Sequence, residues 1–418
     1  MNLEIHPHIY GKKIGTLLLK EGRVYFEYDG AFKASGLEIS PLKLPLASTQ
    51  LYTNSDDIAY YNGLAGVFHD SLPDRFGTKV IERYFETKGI ASHTLNIIQK
   101  LMFVGNKGMG AITYEPSEKL LETDDIKEMI EISSFADHAK RVMQGEALEV
   151  VDGVLAFMDS AASAGGARAK AVVGYNPQSK EMIYGLKDSL PEGYEHWLLK
   201  FDEERQSGES SGYTKLEYLY MQMASEVGIA VPKIDLLPHG NLAHYMIERF
   251  DRVEGERIHL HSLSGLTHSN INISKHYSYD DLFRVTRYLT GEQSAVEAQY
   301  LRMLFNIMAR NQDDHAKNFA FMMDRQGRWS LSPAYDITYA NGAGYTSEHQ
   351  ISLRGRTKEF DRKLLLNVAD AQSISVKKAE QMIEQCTDVL NGFAKRAREL
   401  EISGDVVERI AKAHRLRL

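Results

Sequence analysis

The sequence predicts an α+β, two-lobed fold, with a β-rich N-terminal subdomain ahead of it and a mainly helical lobe at its C-terminal end. Three observations lead there. Residues 1 to about 50 read as strands and turns, with strand-type runs on either side of a hairpin signal. Residues 160–251 read as strand, strand, helix, strand, strand. Beyond about residue 280 apolar positions recur at helical spacing, apart from one hairpin after Asn318. On this pattern the chain divides into 1–150, a β-rich subdomain plus linker helices; 151–255, a mixed lobe; and 256–418, a helical lobe.

The elements follow in order. Runs at 13–19 and 24–28 flank Lys20-Glu21-Gly22-Arg23, a hairpin signal. Residues 39–46 carry Pro41 and Pro45, and each proline disfavours helix at the residue before it, so this stretch reads as extended. Phe68-His69-Asp70-Ser71-Leu72-Pro73-Asp74-Arg75 leads into a helix over 76–88. Residues 102–111 are punctuated by Gly105, Gly108 and Gly110 and read as a loop between packed elements. Residues 115–150 are acidic and hold one or two linker helices. Strands are expected over 171–175 and 196–201. Leu216, Leu219, Tyr220, Met223 and Val227 then mark an amphipathic helix that Gly228 stops. Strands over 234–238 and 244–251 flank His239-Gly240-Asn241. A helix over 295–310, with Val296, Tyr300, Met303, Leu304, Ile307 and Met308 on its apolar face, leads to a strand over 319–323. The turn 324–327 and a returning strand over 329–331 complete a hairpin.

Composition excludes several classes. The 418 residues have room for two or three domains, and a net charge of −8 offers no overall footprint for nucleic acid or an anionic membrane. Cys386 is the only cysteine, which excludes an intramolecular disulfide and a cysteine-based metal cluster and fits a reducing cytoplasm. The first residues do not read as a signal peptide, and no apolar run approaches the roughly 18–20 residues of a membrane span. A cytoplasmic location is expected.

The chemistry concentrates in Asn311-Gln312-Asp313-Asp314-His315-Ala316-Lys317-Asn318, a polar loop between a buried helix and a hairpin. Uncompensated buried charge costs several kcal/mol per ion, so charges packed this densely beside a core have a use. Asp313 and Asn318 are five residues apart, the spacing of the catalytic aspartate and metal-binding asparagine in a protein-kinase catalytic loop. A phosphoryl-transfer site needs a carboxylate to take the hydroxyl proton and hard oxygen ligands for Mg²⁺. Asp313 suits the first role. Asn318 and Asp336, which the hairpin brings back alongside, suit the second. Crowding Asp313, Asp314 and Asp336 together raises their pKa values unless a cation neutralises them. His315 suits a hydrogen-bonding scaffold better than a lone metal ligand.

Upstream, Ser160-Ala161-Ala162-Ser163-Ala164-Gly165-Gly166-Ala167-Arg168-Ala169-Lys170 lets backbone N–H groups approach an anion, although two glycines among alanines equally suit a packing turn. Lys200 ends an apolar strand and Glu217 follows on a helix, the lysine–glutamate arrangement that kinases use. These features add "protein-kinase-like" to the fold class. Arg396, Arg398, Arg409, Lys412, Arg415 and Arg417 form a local basic excess, read as helix C-terminal placement and ordinary solvation, with contact to DNA as the sharper alternative.

Taken together, these residues resemble the HipA family, the kinase toxins of bacterial toxin–antitoxin modules. The resemblance rests on 313–319, on Ser332-Pro333-Ala334-Tyr335-Asp336-Ile337, on Glu248-Arg249-Phe250-Asp251-Arg252 and on the Leu72-Pro73 segment, and it spans nearly the whole chain. It implies an ATP- and Mg²⁺-dependent Ser/Thr protein kinase with Asp313 as general base and with Asn318 and Asp336 on the metal. It further implies Lys200 on the phosphates and a nucleotide loop of Ser163, Gly165, Gly166, Ala167, Arg168, Ala169 and Lys170. Glu248, Arg249 and Phe250 form the adenine hinge, with His315 and Lys317 beside the nucleotide. Ser163 aligns with the serine that family members autophosphorylate, though Ser160 stands only three residues earlier. The implied partners are a small helix-turn-helix antitoxin of HipB type, DNA only through that antitoxin, and a protein substrate, best known as glutamyl-tRNA synthetase; no membrane is implied. Two departures stand out: Arg168, where the best-known members carry other residues before the lysine, and Asp314, where they have glycine. An alternative from another class is a catalytically idle, kinase-shaped partner of an antitoxin in autorepression. A metal-dependent hydrolase would leave Lys200 and the glycine loop without a use.

Overall fold

The computed structural model describes residues 3–48, 51–118, 129–146, 152–162, 168–204 and 210–418. Three apolar cores organise them. The first lies under a five-stranded antiparallel sheet. Leu3–Ile9 is paired on one edge by Gly15–Lys20 and, near its end, by Lys12–Lys13, and on the other edge by Ile112–Glu115; Gly15–Lys20 in turn pairs Arg23–Tyr28. The predicted hairpin forms in register, Lys20 opposite Arg23. Residues 39–46, expected to be extended, instead run through turns. Proline disfavours helix at its preceding residue but not a turn, and the free edge of strand Arg23–Tyr28 is met instead by the bridge Phe26–Tyr52.

The second core lies beneath another antiparallel sheet, in the order Met182–Tyr184, Lys170–Tyr175, Glu195–Lys200, Leu242–Glu248, Ile234–His239. The short strand Met182–Tyr184 was not anticipated. Helix Tyr213–Glu226 crosses one face. Helices Arg75–Thr87, Ile132–Gln144 and Asp152–Ala162 close the other, through Phe76, Val80, Tyr84, Phe135, Phe157 and Met158. Burying each such side chain contributes about 1.5–3 kcal/mol.

The third core is helical. Gln293–Ala309 runs through its centre, packed on Tyr279–Thr290 and Val376–Asn391. Its expected apolar face is present, but the helix is buried on nearly every side, and Gln299, Arg302 and Asn306 are buried with it. The hairpin Ala320–Met323 and Trp329–Leu331 forms as predicted and gains a third strand, His259–Ser262.

The N-terminal subdomain docks on that three-stranded sheet. The Tyr10 hydroxyl donates to the Met323 carbonyl (2.7 Å) and accepts from the His259 N–H (3.0 Å). Asp70 accepts from the Ser262 N–H and hydroxyl, both at 2.7 Å, and sits 2.6 Å from His261 Nδ1. Helices Gly66–His69 and Leu263–Thr267 touch backbone to backbone. A Cβ on Gly66 would lie 2.0 Å from the Gly265 carbonyl oxygen, so only glycine fits there.

Candidate active site

Helix Gln293–Ala309 ends at Arg310, whose φ of +60° turns the chain into the polar loop. Two adjacent aspartates then part company. The Asp313 side chain is 44% exposed, and Asp314 is fully buried. Asp314 Oδ2 accepts from the Tyr279 hydroxyl (2.6 Å) and His349 Nδ1 (2.7 Å), and Oδ1 accepts from the Gln350 N–H (2.8 Å). It is therefore saturated within the fold, and of the two adjacent aspartates Asp313 is the one left open to solvent. Burial, with repulsion from Asp336 and Asp314, pushes the Asp313 carboxyl above the usual range, against the pull of His315, whose Nε2 lies 3.9 Å away.

Asn318 Nδ2 donates to the Asp313 carbonyl (2.8 Å), which closes the loop on itself and leaves Oδ1 for another partner. Arg302 pins the loop to the hairpin. Its Nη2 donates to the carbonyls of Asn318 (2.6 Å) and Tyr335 (3.3 Å), and its guanidinium lies 4.5 Å from the Phe319 ring centre. The Tyr335 hydroxyl adds a bond to the Lys317 carbonyl (2.7 Å). Asp336, at φ +53°, thereby stands beside the Asp313 loop.

Lys200 lies beneath it. Its ammonium donates to Glu217 Oε1 (2.6 Å) and to Asp336 Oδ1. Lys170 is its cross-strand neighbour, buried at 2% exposure. Burial and repulsion from Lys200 bring the Lys170 ammonium down to about 8. Burial alone would push the Asp336 carboxyl up, but Lys200 and Lys170 hold it well below the usual range. Burial raises the Glu217 carboxyl, and Lys200 opposes the rise. The expected crowding of three carboxylates is thus relieved by protein: Asp314 is withdrawn into its own bonds, and Asp336 is matched by lysine.

Other predicted residues occupy varied places. Ser163, Gly165, Gly166 and Ala167 lie outside the described residues. Ser160 is fully buried on helix Asp152–Ala162. Ala169 is buried, and Arg168 stacks on the Tyr213 ring at 4.0 Å. At the hinge, the N–H groups of Glu248 and Arg249 are bonded within the protein, to the carbonyls of Lys233 (2.9 Å) and His196 (2.8 Å). The Arg249 side chain turns away to form a fork with Asp251 (2.7 and 3.0 Å). That fork, with Arg252, clasps the Gly108 carbonyl and the Gly110 N–H, so 105–110 is a packing loop. The Phe250 ring stacks with Tyr335, 5.8 Å between centres. Lys317 pairs with Asp74 of the N-terminal subdomain at 2.7 Å.

Sequence reading missed Arg302, Asp74 and Asp70. A cation between Leu301 and Met303 inside an apolar helix was a usable signal for Arg302. No local signal marked Asp74, which lies 243 residues from Lys317.

Among the described residues, no cluster of three or more His, Cys, Asp or Glu side chains is arranged for a metal, and no helix is long and apolar enough to cross a membrane. The carboxamide of Asn318 and the carboxylate of Asp336 form a smaller set of hard oxygens, held on segments that Arg302 ties together. That set suits Mg²⁺, which takes one or two protein oxygens and completes its shell with water and phosphate.

The lysine–glutamate pair between sheet and helix, facing an Asp/Asn loop and a hairpin aspartate on a helical lobe, defines a protein-kinase-like two-lobed fold. The chain belongs to the HipA family: residues 162–393 match the HipA-like C-terminal domain and residues 6–115 the HipA N-terminal domain. A serine/threonine-protein kinase toxin HipA of Shewanella oneidensis is 25% identical over 142 residues, a match spanning 29% of this chain and 33% of that protein. The solved HipA of Shewanella oneidensis MR-1, in complex with HipB and operator DNA, shares the fold at a TM-score of 0.67. It is 18% identical, over 98% of this chain and 95% of that one.

Proposed function

We propose that this protein is an ATP- and Mg²⁺-dependent Ser/Thr protein kinase that transfers the γ-phosphate to a protein hydroxyl. The observation that carries the reading is Lys200 bridging Glu217 and Asp336 beside an exposed Asp313. Asp313 accepts the proton of the incoming hydroxyl, a contribution of about 10²- to 10⁴-fold. Its raised pKa makes it a better base than a free carboxylate. Lys200 spends two of its three N–H bonds on Glu217 and Asp336 and offers the third to the phosphates. Lys170 adds a second positive charge. Asn318 and Asp336 would hold Mg²⁺, which supplies charge neutralisation at the phosphates. Phe250, whose N–H has no acceptor among the described residues, offers the hinge donor to adenine.

Ser163 is the autophosphorylation site in this reading, since Ser160 is enclosed. The partner is a helix-turn-helix antitoxin of HipB type, through which alone the protein meets operator DNA. The target class is an aminoacyl-tRNA synthetase of the glutamyl type. Support for the antitoxin comes from the shared fold with a HipA solved alongside HipB and DNA; the target class rests on the family resemblance.

The test is incubation of the unmodified protein with labelled ATP and Mg²⁺, with and without Asp313→Ala, followed by mapping of phosphosites. Label on Ser163 in the wild type, falling at least about 10²-fold in the variant, is the expected result. No label at all would favour an idle, antitoxin-binding role. Phosphate released without protein label would point to hydrolysis.

A further inference from the structure

We infer that residues 413–415 form a strut holding the helix that bears Glu217 in register with the loop that bears Asp313. Tyr220, His414, Arg415 and Asp314 are then positioning residues for phosphoryl transfer, an inference that rests on the kinase reading above.

One end of the strut is Tyr220, three residues after Glu217 on helix Tyr213–Glu226 and wholly buried. Its hydroxyl donates to the Ala309 carbonyl (3.1 Å) and lies 2.7 Å from His414 Nε2. A phenol has one proton. With that proton on Ala309, His414 Nε2–H is the donor.

The middle is a helix C-terminus. The last four carbonyls of Gln293–Ala309 have no partner within the helix, and all four are satisfied from outside it. Asn306 accepts from the Arg310 and Asn311 N–H groups. Ile307 accepts from Arg415 Nη1 (3.3 Å), Met308 from the Arg415 N–H (2.8 Å) and Ala309 from Tyr220. Arg310 Nε returns a bond to the Ala413 carbonyl (2.8 Å). A guanidinium at this end also meets the negative pole of the helix.

The other end is Asp314. Arg415 Nη1 lies 3.4 Å from His349 Nε2, and its guanidinium sits over Phe360 at 5.2 Å. Guanidinium only donates, so His349 Nε2 accepts. The ring proton then lies on Nδ1, which donates to Asp314 Oδ2. Hydrogen bonds, joined through the His414–Arg415 backbone, therefore run from the helix of Glu217 to the residue after Asp313. The aspartate at position 314 has a use that glycine could not serve.

The test uses the full-length protein in single-turnover transfer of labelled phosphate from ATP·Mg²⁺ onto itself. Tyr220→Phe and Asp314→Asn should each slow the rate at saturating ATP by about tenfold, with half-saturating ATP moved by less than about twofold. The double variant should lose little more than the worse single, because both break one strut. His414→Gln, which keeps a donor near the Nε2 position, should retain the rate, and His414→Ala should not. Multiplying losses, or a half-saturating ATP that moves as far as the rate, would overturn the strut. Amide hydrogen exchange at Asn311, Gln312 and Asn318 separates this inference from the kinase reading. Tyr220→Phe should speed it by about tenfold even in a protein that transfers no phosphate, and unchanged exchange would sink the strut in a protein that does.

Discussion

Two clusters of buried charge, one at the hinge and one in the cleft, are built from different cations. At the hinge, Asp251 is fully buried between the guanidinium forks of Arg249 and Arg252 and also accepts from the Gly110 N–H. Burial alone would raise its carboxyl, yet the two arginines hold it well below the usual range. In the cleft, Lys170 and Lys200 face Glu217 and Asp336. A planar fork fixes geometry, and an ammonium on a flexible stem can exchange one oxygen for another. The arginine cluster therefore reads as a fastening between the hinge and 105–110, and the lysine cluster as a set of charges that can be redistributed onto phosphate.

That contrast can be broken from either side. Asp251→Ala leaves two buried guanidiniums without their carboxylate and should lower unfolding stability by about 3–5 kcal/mol, read by urea denaturation, with turnover per folded molecule kept. The sign with pH follows. A depressed carboxyl contributes stability that is in place above its unfolded value, about pH 4, and is lost as pH falls. Wild type should therefore show an acid-side loss of stability that the variant lacks. Asp336→Asn should weigh the other way, lowering phosphotransfer by about 10²- to 10³-fold while costing less stability than Asp251→Ala, because the Asp336 carboxylate is partly exposed and Glu217 still pairs Lys200. A variant that lost stability and kept transfer would make the cleft cluster another fastening.

The smallest effect is expected from Lys170. Burial and repulsion from Lys200 bring its ammonium down to about 8, so above that pH the free protein loses one positive charge from the cleft proposed to hold the phosphates. The ratio kcat/KM for ATP should fall by up to about tenfold per pH unit there, and Lys170→Arg should abolish that limb. A limb unchanged in the variant would assign it to another group.

The kinase-like core was legible because its signals are local. The Asp313–Asn318 spacing lies within one loop, the Asp324–Gly327 turn dictates a hairpin, and Lys200 and Glu217 sit on elements whose periodicity is plain. The third strand, His259–Ser262, escaped notice, because it pairs with a hairpin some sixty residues later and carries histidines where an apolar alternation would have announced it. Pro41 and Pro45 misled in the other direction: they exclude helix, and a turn satisfied them as well as a strand.

By itself the sequence determined which residue types crowd around the cleft, since spacing and strand or helix period are properties of neighbouring residues. Only the tertiary structure decided how identical groups divide their work. Asp313 and Asp314 are adjacent and chemically alike. One stays exposed, and the other is saturated by Tyr279, His349 and Gln350, 35 and 36 residues away along the chain. Lys317 likewise takes its partner, Asp74, from the N-terminal subdomain. Whether a carboxylate can act on a substrate depends on which donors reach it and how much water it keeps, and chain folding alone brings those donors in.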